Sequence, residues 1–292
     1  MIPDFDYKIP KDMESLMKLF DGTNNNTFLI AGGTDLVANI KKKQITPKVL
    51  IDITRIKRLT GIKDEYNYIS IGACCTLSKI ASSPLLIEYF PYIIEAARCV
   101  GSEQIRNLGT IGGNLCSALP SADMALPLIA SDAILISSSI NNTRAIKVSD
   151  FFIGYRKTAL KPNETLVEIQ IPKKNNQIGK FLKFGRRKTL TLAIANLTIV
   201  INFDNNSREK IEEVRIALGS VAPIPIRAKK AENFLVGKSL TKNNIEKTVN
   251  MVANEADPIN DLRASAVYRV EIIKVLAKRA LNFIRESAYS ET

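Results

Sequence analysis

The stretch from Arg106 to Ala125, RNLGTIGGNLCSALPSADMA, constrains the fold more than any other part of this chain. Four of the 14 glycines lie between Gly101 and Gly113, and polar residues surround them, which is not the composition of a packed core. Glycine has no Cβ atom, so it allows positive φ and brings backbone N–H groups close to the oxygens of a phosphate. We therefore predict a phosphate-binding turn at Gly112-Gly113, with a tight turn between strands as the alternative.

A second glycine pair lies in FLIAGGTDL, residues 28–36. A strand-like apolar segment runs into Gly32-Gly33, and Thr34 and Asp35 then offer N-cap side chains to a following helix. A strand, a glycine turn and a helix N-terminus together offer backbone donors to an anion. Neither pair has the spacing G-x-G-x-x-G or the G-K-[ST] of a P-loop. The residues alone therefore predict two turns that clamp one diphosphate, without naming the ligand.

Cysteine and histidine usage excludes several kinds of site. The chain has no histidine, and its four cysteines, Cys74, Cys75, Cys99 and Cys116, form no C-x-x-C. These absences exclude a zinc site, a Ser-His-Asp triad and an iron–sulfur cluster held by this chain. We expect each cysteine to be a small buried apolar residue. The sequence predicts no metal ligand and no catalytic residue. Any chemistry must then depend on a bound cofactor or on carboxylates, lysines and tyrosines.

The charge is strongly basic, +12, from 41 Lys and Arg against 29 Asp and Glu. A basic surface attracts nucleic acid, acidic partner subunits or anionic cofactors. The lysines are scattered and accompany no helix-turn-helix or zinc pattern, so we expect no nucleic-acid partner. No apolar run approaches the roughly twenty residues of a membrane helix, and the first residues do not read as a secretory signal. We expect no membrane partner and a cytoplasmic location.

Periodicity and turn composition predict two domains, residues 1–175 and 176–292, joined at the polar linker 172–179. The first domain divides into a β-α-β-like unit at about residues 1–57 and a second unit at about residues 58–175. The first unit is predicted to contain a helix at 12–20 and strands at 28–30 and 48–53. The second is predicted to contain strands at 68–72, 133–138, 144–148 and 165–171 and helices at 76–81, 90–100 and 123–133.

The C-terminal part is predicted to contain three strands, at 181–186, 193–203 and 214–221, in an antiparallel meander that Pro223 and Pro225 end. Helices are predicted at 228–235, 243–255 and 264–287. The last helix places apolar residues along one side, namely Val267, Val270, Ile273, Val275 and Leu276. A three-stranded antiparallel sheet with helices follows, so the fold class is α+β.

The chain resembles the FAD-binding medium subunit of the molybdenum hydroxylases, the xanthine dehydrogenase family. The resemblance rests on four segments in the family's order, AGGTDL (31–36), IRNLGTIGGNLCSALPSADMALPLIASDA (105–133), GYRKT (154–158) and DLRASAVYR (261–269). It implies a two-subdomain FAD-binding domain of the vanillyl-alcohol-oxidase/PCMH type, in which the two glycine loops hold the FAD diphosphate. It also implies a C-terminal flavoprotein-subunit domain that covers part of the flavin.

The resemblance also assigns cofactor-binding positions. Asp123 matches an aspartate that contacts FAD, and it is also suited to cap the helix that follows. Lys183 matches a position beside the isoalloxazine ring, where a lysine would stabilise the reduced flavin. Many relatives place an acidic residue and then an aromatic residue or Ile over the flavin, where this chain has Thr191-Leu192. The implied FAD-binding residues are Leu29, Ile30, Ala31, Gly32, Gly33, Thr34, Asp35, Leu36, Val100, Thr110, Ile111, Gly112, Gly113, Asn114, Asp123, Leu166 and Lys183.

The function that the resemblance implies is electron transfer within a heteromeric molybdenum hydroxylase. A molybdopterin-binding large subunit would hydroxylate the substrate, and the [2Fe–2S] clusters of a small subunit would deliver electrons to FAD in this chain. NAD or another acceptor would then receive them. The substrate of the large subunit and the identity of the acceptor stay open, because neither is encoded in this chain.

Two other classes of protein are considered beside this one. A stand-alone FAD oxidoreductase of the vanillyl-alcohol-oxidase type would share the N-terminal fold, but it usually needs a larger substrate cap and often a His or Cys for covalent flavin attachment. A cofactor-free assembly subunit would have no reason to keep glycines at 32, 33, 112 and 113, because these residues weaken packing.

Overall fold

The N-terminal part folds around a small parallel sheet in the computed structural model, which describes residues 2–20, 26–187, 189–204 and 209–290. Its strands lie in the order β1-β3-β2, with β1 (Asp6–Lys8), β2 (Thr27–Ile30) and β3 (Val49–Asp52). Parallel strands need crossover connections. Helices α1 (Met13–Phe20) and α2 (Leu36–Lys41) lie in these connections and confirm the predicted β-α-β-like unit.

The middle part is built on a five-stranded antiparallel sheet. Its spatial order is β4-β5-β10-β6-β7, where the strands are β4 (Ile62–Asp64), β5 (Tyr68–Gly72), β6 (Ile134–Ser138), β7 (Thr143–Lys147) and β10 (Thr165–Pro172). A separate hairpin of β8 (Phe152–Gly154) and β9 (Lys157–Thr158) precedes β10. The four strands predicted between residues 68 and 171 are confirmed, and β4 and the hairpin are additional.

Six short helices accompany this sheet. They are α3 (Leu77–Ala81), α4 (Pro84–Tyr89), α5 (Pro91–Cys99), α6 (Glu103–Leu108), α7 (Ile111–Cys116) and α8 (Ala125–Ala130). The side chains of Thr76, Ser83, Ser102 and Thr110 cap the helices that follow them by accepting backbone N–H groups. The Gly112-Gly113 pair therefore lies inside a capped helix, and the tight turn considered as its alternative is not formed.

Within the described residues, the C-terminal sheet has four antiparallel strands in chain order, which corrects the three-stranded prediction. They are β11 (Gln177–Gly185), β12 (Ala193–Phe203), β13 (Ile211–Gly219) and β14 (Ile226–Arg227). β14 pairs with β13 just after Pro225, through Ile226 opposite Leu218 and Arg227 opposite Ala217. A strand of two residues is too short to show an alternating pattern, so the sequence did not reveal it.

Three helices, α9 (Lys229–Leu235), α10 (Lys242–Glu255) and α11 (Ala266–Ser290), follow the C-terminal sheet as predicted. The buried side of α11 carries Ile273, Leu276, Ala277, Ala280, Leu281 and Ile284, and the helix packs on β11 and β12. Val267 and Val275, expected on this side, are exposed. Within the described residues, no helix is both long enough and apolar enough to span a bilayer.

The C-terminal sheet packs directly against helices of the middle part. Phe181 and Val200 of this sheet belong to the same core as Tyr92 of α5 and Leu126 of α8. Ion pairs surround this contact, including Lys180 with Glu95 and Arg227 with Asp132. The loops that connect α5, α6 and α7 are thereby held beside β11, which positions the site described next.

Candidate functional site

A cleft of about 610 Å³ opens between the N-terminal and middle parts of the chain. One wall is the segment from Phe28 to Asn39, which includes the first glycine pair. The opposite wall is formed by α7, by the start of β10 and by the β8-β9 hairpin. The cleft therefore lies at the place where the two glycine segments meet, as the sequence predicted for a shared ligand.

The first glycine segment supplies free backbone donors. The N–H groups of residues 31–35, here called the glycine loop, donate to no acceptor within the part of the chain that the structure describes. Gly33 has φ +68°, and a Cβ atom on Gly32 would lie 1.9 Å from the carbonyl oxygen of Leu108. Because of these two constraints, the loop passes against the end of α6 with its N–H groups unpaired. Such a run of donors suits the oxygens of a diphosphate.

The second glycine segment is different, and here the prediction of positive φ and free donors is wrong. Residues 111–114 all donate their backbone N–H within the protein, to Cys75 O, Ala73 O, Thr110 Oγ1 and Thr110 O at 2.8–3.1 Å. Positive φ among described glycines occurs at Gly33, Gly101 and Gly237. The segment is helical because Thr110 caps α7, so its peptide groups are consumed by the helix and by its neighbours.

The two glycines of α7 act instead through their missing side chains. A Cβ atom on Gly112 would lie 2.7 Å from the carbonyl oxygen of Ala73, so this glycine allows α7 to pack against the loop after β5. Gly113 is exposed and lines the cleft, and a Cβ atom there would meet only the Thr110 hydroxyl, at 3.0 Å. Because Gly113 has no side chain, a ligand in the cleft can contact the backbone of α7 directly.

An ion pair crosses the cleft between Asp35 and Arg156. Arg156 Nη1 lies 3.0 Å from Asp35 Oδ2, and both side chains are partly exposed. Asp35 Oδ2 also accepts a hydrogen bond from Asn39 Nδ2 at 3.0 Å. The Asp35 side chain therefore makes no cap bond to α2, contrary to the sequence-based expectation. Hydrogen bonding to Asp35 is the main reason why the pKa of Arg156 is raised.

Asp123 and Lys183 lie beside the cleft, paired with each other. Lys183 Nζ lies 2.6 Å from Asp123 Oδ2 and 3.0 Å from the carbonyl oxygen of Cys99, and Asn196 donates to Asp123 Oδ1. Burial raises the pKa of Asp123 to about 6, while the charge and hydrogen bond of Lys183 oppose this shift. Asp123 does not cap α8, since Met124 occupies the N-cap position and has no side-chain cap bond.

Most of the residues assigned from the resemblance are brought together by the fold. The cleft is lined by Leu29, Ile30, Ala31, Gly32, Gly33, Thr34, Asp35, Leu36, Val100, Thr110, Gly112, Gly113, Asn114 and Leu166. Ile111 is fully buried in the core, and Asp123 and Lys183 are not among the lining residues. The charged groups of Asp123 and Lys183 pair with each other, and the expectation that each contacts FAD stays a prediction.

Several lining residues were not identified from the sequence. Arg156 lies in the GYRKT segment, which carried part of the resemblance but received no role. Cys116 is exposed and lines the cleft, and Cys99 is also exposed, although both were expected to be buried. Cys74 is buried as expected, yet it also contributes to the wall, and burial raises its pKa to about 12. A cysteine has no sequence signal that distinguishes a cleft wall from a core.

Comparison with known proteins identifies the family. The family model described as the FAD binding domain in molybdopterin dehydrogenase matches residues 3–174. The CO dehydrogenase flavoprotein C-terminal domain matches residues 180–284. The chain belongs to the FAD-binding subunits of the molybdenum hydroxylases. Its cofactor is accordingly FAD, and the chain is the flavoprotein subunit of a molybdenum-containing dehydrogenase.

Individual family members match over nearly their whole length. The glyceraldehyde dehydrogenase medium chain of Sulfolobus acidocaldarius is 32% identical over 95% of this chain and 97% of its own. The carbon monoxide dehydrogenase medium chain of Hydrogenophaga pseudoflava is 32% identical over 96% of each chain. A solved structure of carbon monoxide dehydrogenase from Hydrogenophaga pseudoflava superposes with a TM-score of 0.93, at 31% identity over 99% of each chain.

The residues of the cleft fit FAD. The glycine loop offers unpaired N–H groups that a diphosphate would satisfy, and the place that a Cβ atom of Gly113 would take is open. Apolar side chains, including Leu29, Val100 and Leu166, line other parts of the walls and suit the flat apolar surfaces of a flavin or an adenine. Within the described residues, no group of His, Cys, Asp and Glu is arranged to hold a metal ion.

Proposed function

We propose that this chain is the FAD-carrying electron-transfer subunit of a heteromeric molybdenum hydroxylase. In this proposal a small subunit with [2Fe–2S] clusters delivers electrons, a molybdopterin-binding large subunit hydroxylates the substrate, and NAD or another acceptor receives the electrons. The observation that carries the proposal is the cleft with its free donors at residues 31–35, in a chain that holds no cysteine motif for a cluster of its own. When bound, FAD exchanges electrons singly or in pairs.

The residues of this chain bind and orient the cofactor. We assign the diphosphate to the glycine loop, because its five consecutive N–H groups donate to no acceptor within the described residues. We assign Thr110, Gly112, Gly113 and Asn114 to the facing wall, where the helix backbone sets the width of the cleft. Val100 and Leu166 supply apolar contact, and Leu29, Ile30 and Leu36 extend the first wall.

Asp123, Lys183 and Ile111 support these contacts from behind. Lys183 donates to the carbonyl oxygen of Cys99, the residue before the lining residue Val100, and thereby holds that segment in place. Asp123 holds Lys183 in position, because a buried cation requires a partner. Ile111 anchors the first turn of α7 in the core.

We also propose that the chain consists of two domains, residues 1–175 and 176–292, with the first divided at about residue 57. The separate parallel and five-stranded sheets support the division of the first domain. The C-terminal sheet with its own helices and its own core supports the second domain. The cleft then lies between the two parts of the first domain, and β11 brings Lys183 to its side.

The experiment that tests the proposal begins with the visible spectrum of the purified chain. Acid release and chromatography of the yellow compound should yield FAD. The heteromer is then assayed for NAD⁺ reduction before and after removal of the flavin, and the activity should be lost with the flavin and return with added FAD. Full NAD⁺ reduction without flavin would contradict the electron-transfer role.

The same experiment separates the two other classes of protein. A colourless folded chain that takes up no added FAD would support the cofactor-free assembly subunit. A flavin-loaded chain that oxidises an organic substrate without any partner subunit would support the stand-alone oxidoreductase.

A further inference from the structure

The walls of the cleft carry one cationic side chain, that of Arg156, which is the only Lys or Arg among the described residues that line it. The lining acids are Asp35 and Glu164, and Glu164 is already neutralised by Arg144, whose guanidinium donates to both carboxylate oxygens at 2.7 and 2.8 Å. A diphosphate is an anion, and the glycine loop offers it only dipoles. Arg156 is therefore the cation available to balance that charge.

The fold holds Arg156 in place at the cleft. The residue sits in the turn between β8 and β9, and β8 begins at the buried residue Phe152. Its backbone N–H donates to the carbonyl oxygen of Ala118 at 2.9 Å, and its φ is +54°. A positive φ is unfavourable for a residue with a Cβ atom, and such conformations persist where the surrounding contacts enforce them, often at binding sites.

In this structure the guanidinium of Arg156 rests on Asp35, inside the glycine loop. Nη1 lies 3.0 Å from Oδ2 and Nη2 lies 3.4 Å from Oδ1, so the two groups face each other in a forked arrangement. The two side chains are 38% and 45% exposed. An ion pair this exposed contributes little to stability. Its effect is to place a forked cationic donor beside the unpaired N–H groups of residues 31–35.

We propose that Arg156 recognises the diphosphate of FAD and that Asp35 holds the guanidinium in position while the cleft is empty. This inference rests on the proposed assignment of the diphosphate to the glycine loop. The planar guanidinium matches phosphate oxygens in pairs, as it matches the carboxylate oxygens of Asp35. When FAD binds, the fork donates to the diphosphate, and Asp35 keeps its hydrogen bond from Asn39. Asp35 and the diphosphate thus compete for one cation. Removal of the Asp35 carboxylate is therefore expected to raise the affinity for FAD.

The test is a set of FAD dissociation constants for the chain freed of its flavin, determined by flavin fluorescence. Arg156→Gln should weaken FAD binding by about 10- to 100-fold, since a charge-assisted hydrogen bond is lost. Arg156→Lys should recover part of that loss. Asp35→Asn should tighten FAD binding a few-fold, because the competing carboxylate is gone. Riboflavin, which has no phosphate, should bind wild type and Arg156→Gln equally or bind neither.

A matched control removes a lysine that is remote from the cleft. Lys18 pairs with Glu14 on the exposed side of α1, so Lys18→Gln changes the net charge equally and should leave FAD affinity unchanged. The circular dichroism spectrum of each variant reports whether it is folded. If Asp35→Asn weakens FAD binding as much as Arg156→Gln, the pair is a structural clasp and the inference is overturned. Unchanged affinity in folded Arg156→Gln also overturns it, while a wild-type chain that binds no FAD refutes the proposed function itself.

Discussion

Lys183 and Asp123 form an ion pair that joins the C-terminal sheet to the loop before α8. The distance from Nζ to Oδ2 is 2.6 Å, and the side chains are 7% and 6% exposed. Lys183 also donates to the carbonyl oxygen of Cys99, and Asn196 donates to the other oxygen of Asp123. Each charge is thus satisfied by groups from another part of the chain, so neither partner can be removed without leaving the other buried and unpaired.

The first prediction concerns the loss of one partner. Lys183→Met leaves the Asp123 carboxylate buried without a cation, and we expect the free energy of unfolding to fall by about 3–5 kcal/mol. Urea denaturation measures this change. The control is Lys18→Met, which breaks an exposed ion pair with Glu14 and should cost about 0–1 kcal/mol. In the double variant Lys183→Met/Asp123→Leu much of the stability should return. If Lys183→Met and the control Lys18→Met lower the free energy of unfolding by a similar small amount, the buried pair does not matter for stability.

The second prediction is a pH dependence that arises from Asp123. Burial raises its pKa from 3.8 to about 6. The folded chain therefore binds this proton more tightly than the unfolded chain, so the stabilisation is complete below about pH 3.8 and is lost as the pH rises through about 6. Compared with Asp123→Asn, which does not titrate, wild type should gain up to about 3 kcal/mol as the pH falls from 7 to 4. Urea denaturation at several pH values measures the difference, and parallel curves would contradict the prediction.

The third prediction tests the open wall at Gly113. Gly113→Val places methyl groups in the cleft, while in the helix it replaces a poor helix former with a moderate one. We expect FAD affinity to fall at least about tenfold and the free energy of unfolding to change by less than about 1 kcal/mol. The control is Gly61→Val, because a Cβ atom at Gly61 meets only the end of the Lys63 side chain, at 3.9 Å. Equal FAD affinity in the two variants would place the cofactor elsewhere.

The fourth prediction concerns the cap of α7. Thr110 Oγ1 accepts the N–H of Gly113 at 3.1 Å, and the residue is 3% exposed. Thr110→Ala removes this acceptor, so we expect a loss of about 1 kcal/mol in the free energy of unfolding and weaker FAD binding. Thr110→Ser keeps the oxygen and should retain most of both. Thermal unfolding and FAD titration of the two variants provide the comparison, and identical behaviour would show that the hydroxyl has no role.

Much of the architecture could be predicted from local sequence patterns. The helices α1, α5, α9, α10 and α11 and the strands β5, β6, β7, β10 and β12 lie within a few residues of their predicted positions. Their apolar residues repeat at the helical or strand period, and that signal belongs to each segment alone. The two-residue strand β14 has no such signal, since its pairing depends on β13. The buried side of α11 likewise depends on the elements that pack against it. Val267 and Val275 were expected on that side, but both are exposed.

The candidate site was located by the sequence but not described by it. Both glycine pairs marked the walls of the cleft, because the absence of side chains is visible in the sequence. Whether a glycine serves a positive φ or a close contact depends on atoms from distant segments. Gly112 is required by Ala73 O and Gly32 by Leu108 O, and neither neighbour is suggested by the local pattern. The free donors of the glycine loop and the consumed donors of α7 therefore became distinct only in the folded chain.

The sequence by itself determined much of the secondary structure, the two glycine walls, the absence of a histidine-based or cluster-based site, and the family. These are properties of composition and of short segments, which depend on neighbours in the chain. Only the tertiary structure decided the charge pairs. Asp35 meets Arg156 across 121 residues and Asp123 meets Lys183 across 60. Long charged side chains carry no local signal of their partner, so their pairing is set by the packing of the backbone elements that carry them.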